Sequence, residues 1–128
     1  MADTIRKSAV RRDLRLEVRF LEGVMRRCPE HEPAMEALAH LYTRIGRYQE
    51  GLCLDLEITR RHPAEPQHWY NLACSYALTQ KADDALHALD RAVQLGYRDI
   101  EWMMTDRDLA GLREDPRFRD LVAKVRHS

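Results

Sequence analysis

Apolar residues recur at helical spacing in five successive stretches, and short polar turns separate them, with proline or glycine in all but the last. From Ala9 to Arg27 the stripe is Leu14, Val18, Leu21 and Met25, with Leu16, Phe20 and Val24 beside it. So wide an apolar face needs cover on more than one side. Pro29 ends this stretch, and HEPAMEALAHLYTRIG predicts a second helix with Met35, Leu38, Leu41, Tyr42 and Ile45 inward and Gly46 closing it. A third helix is predicted from near Tyr48 to Pro63, with Leu52, Leu56 and Ile58 as core positions. HWYNLACSYALTQ and DDALHALDRAVQL predict the fourth and fifth, and the short connections make consecutive helices antiparallel neighbours. Beyond them, Asp99, Asp106 and Asp115, the last followed by Pro116, are placed to start short helices. That segment reads as a cap with Trp102, Leu109, Leu112, Phe118, Leu121 and Val125 turned inward.

The pattern also repeats itself at an offset of 34 residues. Pro29 maps onto Pro63, Met35 onto Trp69, Leu38 onto Leu72, Ala39 onto Ala73, Tyr42 onto Tyr76, Leu52 onto Leu86 and Ile58 onto Ala92. Two helices per repeat of this length is the physical unit of a helical solenoid, in which each hairpin buries its apolar face on the next. WYNLACSYAL followed by DDALHALDRAVQLGY resembles the signature of the tetratricopeptide repeat family across both helices of one repeat, residues 66 to 98. Residues 32 to 65 resemble the same repeat, with Gly51 where the family prefers alanine and Asp55 where it prefers a large apolar residue. Residues 1 to 31 resemble only the second helix of an earlier repeat, and residues 99 to 128 the capping segment that follows the last repeat in bacterial members. The resemblance implies an all-α fold, a right-handed superhelix of helical hairpins forming one domain over residues 1 to 128.

Length supports a single domain that buries roughly two thirds of its unfolded surface. Lys plus Arg and Asp plus Glu both total 21, so the net charge is zero and nothing pulls the whole chain toward nucleic acid or anionic lipid. The balance is not local: residues 1 to 28 hold eight basic and four acidic residues, a net of +4, leaving 13 basic and 17 acidic beyond them. Cys28, Cys53 and Cys74 are odd in number and lack any CxxC, which argues against a disulfide framework or a zinc site and fits a reducing cytoplasm. No apolar run has the length of a membrane span, and the start lacks that of a signal peptide, so neither insertion nor export is expected.

In the resembled family the first helices of successive repeats line a concave groove that takes partner peptides or helices. Mapped by register, that implies Glu36, His40, Thr43 and Arg44 from the first full repeat and Tyr70, Asn71, Cys74 and Leu78 from the second. The alternative for Cys74 and Leu78 is burial beneath terminal helices. Some members clamp a carboxylate terminus with lysines, asparagines and an arginine. Here only Asn71 is kept; Glu36 stands where a lysine is needed, His40 where an asparagine is, and Glu101 and Thr105 where further cations would be. The groove is mixed in charge and suited to a partner of both charges or mainly apolar contacts.

Catalytic and metal readings find little to stand on. His31, His62 and His68 fall in or beside predicted loops, His87 on a polar face and His127 near the C-terminus, with no HExxH. Asp106 and Asp108 are spaced for capping rather than for joint acid–base work. No GxSxG or phosphate-binding glycine loop occurs. Neither cofactor nor metal is expected, and the chain reads as a non-enzyme. Arg6, Lys7, Arg11, Arg12, Arg15, Arg19, Arg26 and Arg27 could sit on phosphates, but Asp13, Glu17 and Glu22 interleave with them and no aromatic stacking set accompanies them. A solvated face is the simpler reading. The helix resembling half a hairpin leaves Leu14, Leu16 and Phe20 as a face for a second copy or another protein. The expectation is therefore a protein-binding adaptor or assembly scaffold, with a nucleic-acid-associated protein or a self-assembling scaffold as alternatives.

Overall fold

A computed structural model describes the backbone of residues 2 to 127 and the side chains from Asp13 to His127. Arg6, Lys7, Arg11 and Arg12 lie outside the described side chains. The chain is all-helical: α1 (Ala2–Arg27), α2 (Glu32–Arg44), α3 (Tyr48–Arg61), α4 (Pro66–Leu78), α5 (Ala82–Gln94), α6 (Ile100–Thr105), a 3-10 helix (Arg107–Leu112) and α7 (Pro116–Arg126). No strand occurs among the described residues.

Helix starts follow the local chemistry. Asp99 accepts from the Trp102 backbone N–H at 3.1 Å, Asp106 from that of Asp108 at 3.0 Å and Asp115 from that of Arg117 at 2.9 Å, each satisfying an amide the helix cannot. His31, read from the sequence as lying in or beside a loop, caps α2 by accepting from the Ala34 N–H at 3.1 Å through Nδ1. The turn after α2 closes on Gly46 at φ +85°, a left-handed conformation that costs glycine nothing. Its counterpart 34 residues on is Gln80, held at φ +64°.

The chain divides into two compact units, residues 1–54 and 55–128, with the boundary inside α3. In the first unit, Val18 of α1 and Leu38, Leu41 and Tyr42 of α2 are buried together, with Leu14, Leu21, Met25, Ile45 and Leu54 packed against them. Gly51 brings α3 close to α2: a Cβ there would meet Thr43 Oγ1 at 3.0 Å and the Ala39 carbonyl at 3.4 Å, which accounts for glycine at this position. In the second unit, Tyr70, Leu89, Met103, Leu109 and Phe118 are fully buried, drawing α4, α5, α6, the 3-10 helix and α7 onto one core.

Two expected core positions are corrected. Leu56 is 42% exposed, because α3 turns Leu52, Asp55, Ile58 and Thr59 inward and Leu56 falls off that face. Trp102 is 52% exposed, because α6 is only six residues long and buries Met103 instead. The remaining cap residues, Leu109, Leu112, Phe118, Leu121 and Val125, are buried.

Candidate functional site

On α2, Glu36, His40 and Arg44 are exposed and spaced by four, so they form one polar stripe of mixed charge. Thr43 is half-buried; its hydroxyl donates to the Ala39 carbonyl at 3.3 Å and it packs where Gly51 passes. Beside this stretch, Tyr42 donates to Glu22 Oε2 at 2.7 Å and the Arg47 guanidinium lies 4.5 Å from the centre of the Tyr42 ring. Arg47 also pairs with Glu22 at 3.4 Å and with Glu50. Burial, reinforced by the bond to Glu22, pushes the Tyr42 hydroxyl up to about 12, so it remains a donor across the physiological range.

On α4, Asn71 is exposed and its Oδ1 accepts from Gln67 Nε2 at 3.0 Å, while Leu78 is half-buried. Tyr70 and Cys74 are closed off from solvent at 1% and 7% exposure. The cover comes from the turn between α6 and the 3-10 helix. Asp106 Oδ2 accepts from the Tyr70 hydroxyl at 2.7 Å and from Cys74 Sγ at 3.7 Å, and Oδ1 accepts the capping bond from Asp108. The Tyr70 ring stacks on Tyr97 with centroids 4.4 Å apart and planes 7° from parallel. Burial drives the Tyr70 hydroxyl and the Cys74 thiol well above their usual ranges, with Asp106 adding to both. Both stay protonated and donate to the carboxylate.

The same network brings together residue types that ligate metals. Ligand atoms of Cys74, Asp106 and Asp108 lie within 4.8 Å of one another, a spacing a single ion would accept. In this arrangement both Asp106 oxygens accept protein hydrogen bonds. The set works as the fastening of the capping segment onto α4.

A second buried carboxylate, Asp55 of α3, accepts from the Ser75 hydroxyl of α4. Burial is the main influence on it and raises its pKa to about 6, against which the Ser75 bond pulls down. The sequence showed Asp55 as a departure from the resembled repeat, and Ser75 is the partner that makes it tolerable. Thr59, one turn on, donates to the carbonyls of Asp55 at 2.7 Å and His68 at 3.3 Å, tying α3 to the start of α4.

Large apolar side chains remain in water in both units. Leu16 is 62% and Phe20 71% exposed on α1, four residues apart, whereas Leu14 turns into the core with Val18. Trp102 and Met104 are exposed on α6. Sequence periodicity flagged the α1 pair but missed Trp102, whose exposure depends on where a six-residue helix stops.

No protein-family model matches the chain, and no solved structure does. The chain is similar to a curated chloroplastic protein of Arabidopsis thaliana, at 28% identity over 90 residues. The match covers 68% of this chain and 27% of that protein, so the chain spans about a quarter of the length of the relative it matches. No described helix is long and apolar enough to cross a membrane.

Proposed function

We propose that this chain is a non-catalytic protein-interaction module, an adaptor or assembly scaffold of tetratricopeptide type. The supporting observation is the set of large apolar side chains left in water, Leu16, Phe20, Trp102 and Met104, on a chain whose buried carboxylates are bonded internally. Water-exposed aromatics next to polar residues are what protein interfaces are built from, with tryptophan prominent among the energetic anchors. Each unit offers recognition residues of its own. The first presents Glu36, His40 and Arg44 on α2; the second presents Asn71 with Gln67 on α4, and Trp102 of α6 as an aromatic anchor. The buried Tyr70 and Cys74 hold the cap in place and support the surface of the second unit from beneath.

Affinity capture from native extract by the full chain tests this, run beside the Trp102→Ala and Asn71→Ala variants with folding checked by circular dichroism. The reading expects a partner recovered by wild type and lost or strongly reduced with Trp102→Ala. Recovery unaffected by either variant, or no specific partner at all, sinks it. A self-assembling scaffold is the second reading, favoured by Leu16 and Phe20. It predicts concentration-dependent light scattering that is abolished by Phe20→Glu, and a wild type that stays monomeric at high concentration rules it out.

A further inference from the structure

The groove between α6 and α7 shares Met104 with the exposed apolar set and is otherwise lined from the turn before α7 and from α7 itself. It encloses about 470 Å³, with Met104 on one side, Arg113 and Glu114 at one end, and Phe118, Arg119, Val122, Ala123, Arg126 and His127 along α7. Phe118 and Val122 are buried beneath the groove and make its apolar floor, while Met104 and Ala123 are exposed at its rims. Positions 118, 122 and 126 advance by four, so the groove runs about 12 Å along α7, enough for two apolar anchors one helical turn apart.

Its charge is one-sided. Glu114 is paired with Arg119 at 2.9 Å, which leaves Arg113 and Arg126 as the uncompensated charges of the lining among the described residues. Arg113 is also held in place: its Nη2 donates to the Asp106 carbonyl, and its buried Nε has no hydrogen-bond partner. A tethered guanidinium has lost its side-chain entropy before any ligand arrives, so a carboxylate pairing with it meets a preorganised donor.

We propose that this groove docks an acidic, amphipathic peptide segment of a partner protein. Its apolar side chains would rest on Met104 and Ala123 above the floor of Phe118 and Val122, and its carboxylates would meet Arg113 and Arg126. A trough running along α7 suits a peptide lying lengthwise, and the uncompensated cations select its sign. The inference extends the protein-interaction reading to a second surface and rests on it only in the class of partner.

The probe is a short fluorescein-labelled synthetic peptide carrying leucine and phenylalanine four residues apart among glutamates, followed by fluorescence anisotropy on the full chain. Saturable binding is expected. Ala123→Glu, which fills the groove and repels the peptide without touching the core, and Arg126→Glu should each weaken it by about tenfold or more. An analogue with lysine in place of every glutamate should not bind. Absence of saturable binding up to about 1 mM, equal affinity in both variants, or equal binding of the lysine analogue each overturns the proposal. Native-partner capture by Ala123→Glu is measured in parallel. Peptide binding that fails while capture still depends on Trp102 removes the groove alone.

Discussion

The two units each tuck a tyrosine hydroxyl onto a carboxylate, yet the pairs stand in different surroundings. In the first unit Tyr42 meets Glu22 at a partly open site where Arg47 is within reach of both. In the second, Tyr70 meets Asp106 in the buried interior, with stacked Tyr97 and a protonated thiol as its other neighbours. The cores differ in the same direction. α1 buries Val18 and leaves Leu16 and Phe20 in water, whereas the capping segment seals Met103, Leu109 and Phe118 completely. A hairpin layer with a folded cover can bury polar groups as fasteners. One with an open outer helix keeps them near solvent, where water and a neighbouring cation share the load.

The sharpest way to break this contrast is to truncate the same side chain in each region. Phe118→Ala should cost about 3 to 5 kcal/mol of unfolding free energy, and Phe20→Ala within about 0.5 kcal/mol, read from urea midpoints at constant slope. Equal losses would mean that the α1 face is covered in solution. Next comes Asp55. Because burial raises its pKa from the ordinary 3.8 to about 6, the folded chain holds that proton more tightly than the unfolded chain. Its contribution to stability is fully present below the unfolded value and is lost as pH rises through about 6. The decline between about pH 4 and pH 6 should reach up to about 3 kcal/mol and should flatten in Asp55→Asn, which keeps an acceptor for Ser75. A wild-type profile with no such fall would refute the assignment.

The tyrosine pairs separate by a smaller margin. Tyr70→Phe strands Asp106 Oδ2 without its strongest donor and should cost about 1 to 3 kcal/mol, while Tyr42→Phe, with Arg47 and water at hand, should cost about 1 kcal/mol or less. Thermal unfolding of the two variants side by side measures the difference, and a reversed order would undo the comparison. Smallest is a gain. Gln80 adopts at φ +64° the conformation that Gly46 takes at φ +85° in the preceding turn, so Gln80→Gly should raise stability by up to about 1 kcal/mol. A drop in melting temperature would show that the glutamine side chain contributes contacts worth more than the backbone strain.

Much of this arrangement was legible in the residues. Helix order, the hairpin turns, Gly46 as a stop and Asp99, Asp106 and Asp115 as starts all depend on chemistry within four residues, which spacing records directly. Leu56 and Trp102 were misplaced because a stripe fixes one helix face and not how far neighbours extend over its edges. Of the candidate surface, Glu36, His40, Arg44 and Asn71 are exposed. The sealing of Tyr70 and Cys74 was among the alternatives for Cys74 alone, since it hangs on a bond to Asp106 across 36 residues of sequence, and such a pairing leaves no periodic trace. Asp55 looked like a defect in the pattern until Ser75, 20 residues on, supplied its donor.

The placement of the three thiols gives the chain its own clock. Cys28 and Cys53 are exposed, while Cys74 is shut beneath the capping segment. A thiol reagent should therefore modify two sites at once and the third only as fast as the cover lifts. When closing outpaces labelling, the ratio of the Cys74 rate to that of an unprotected thiol is the equilibrium constant for opening. The population of the uncapped form can thus be followed by mass in the wild-type chain, without denaturant.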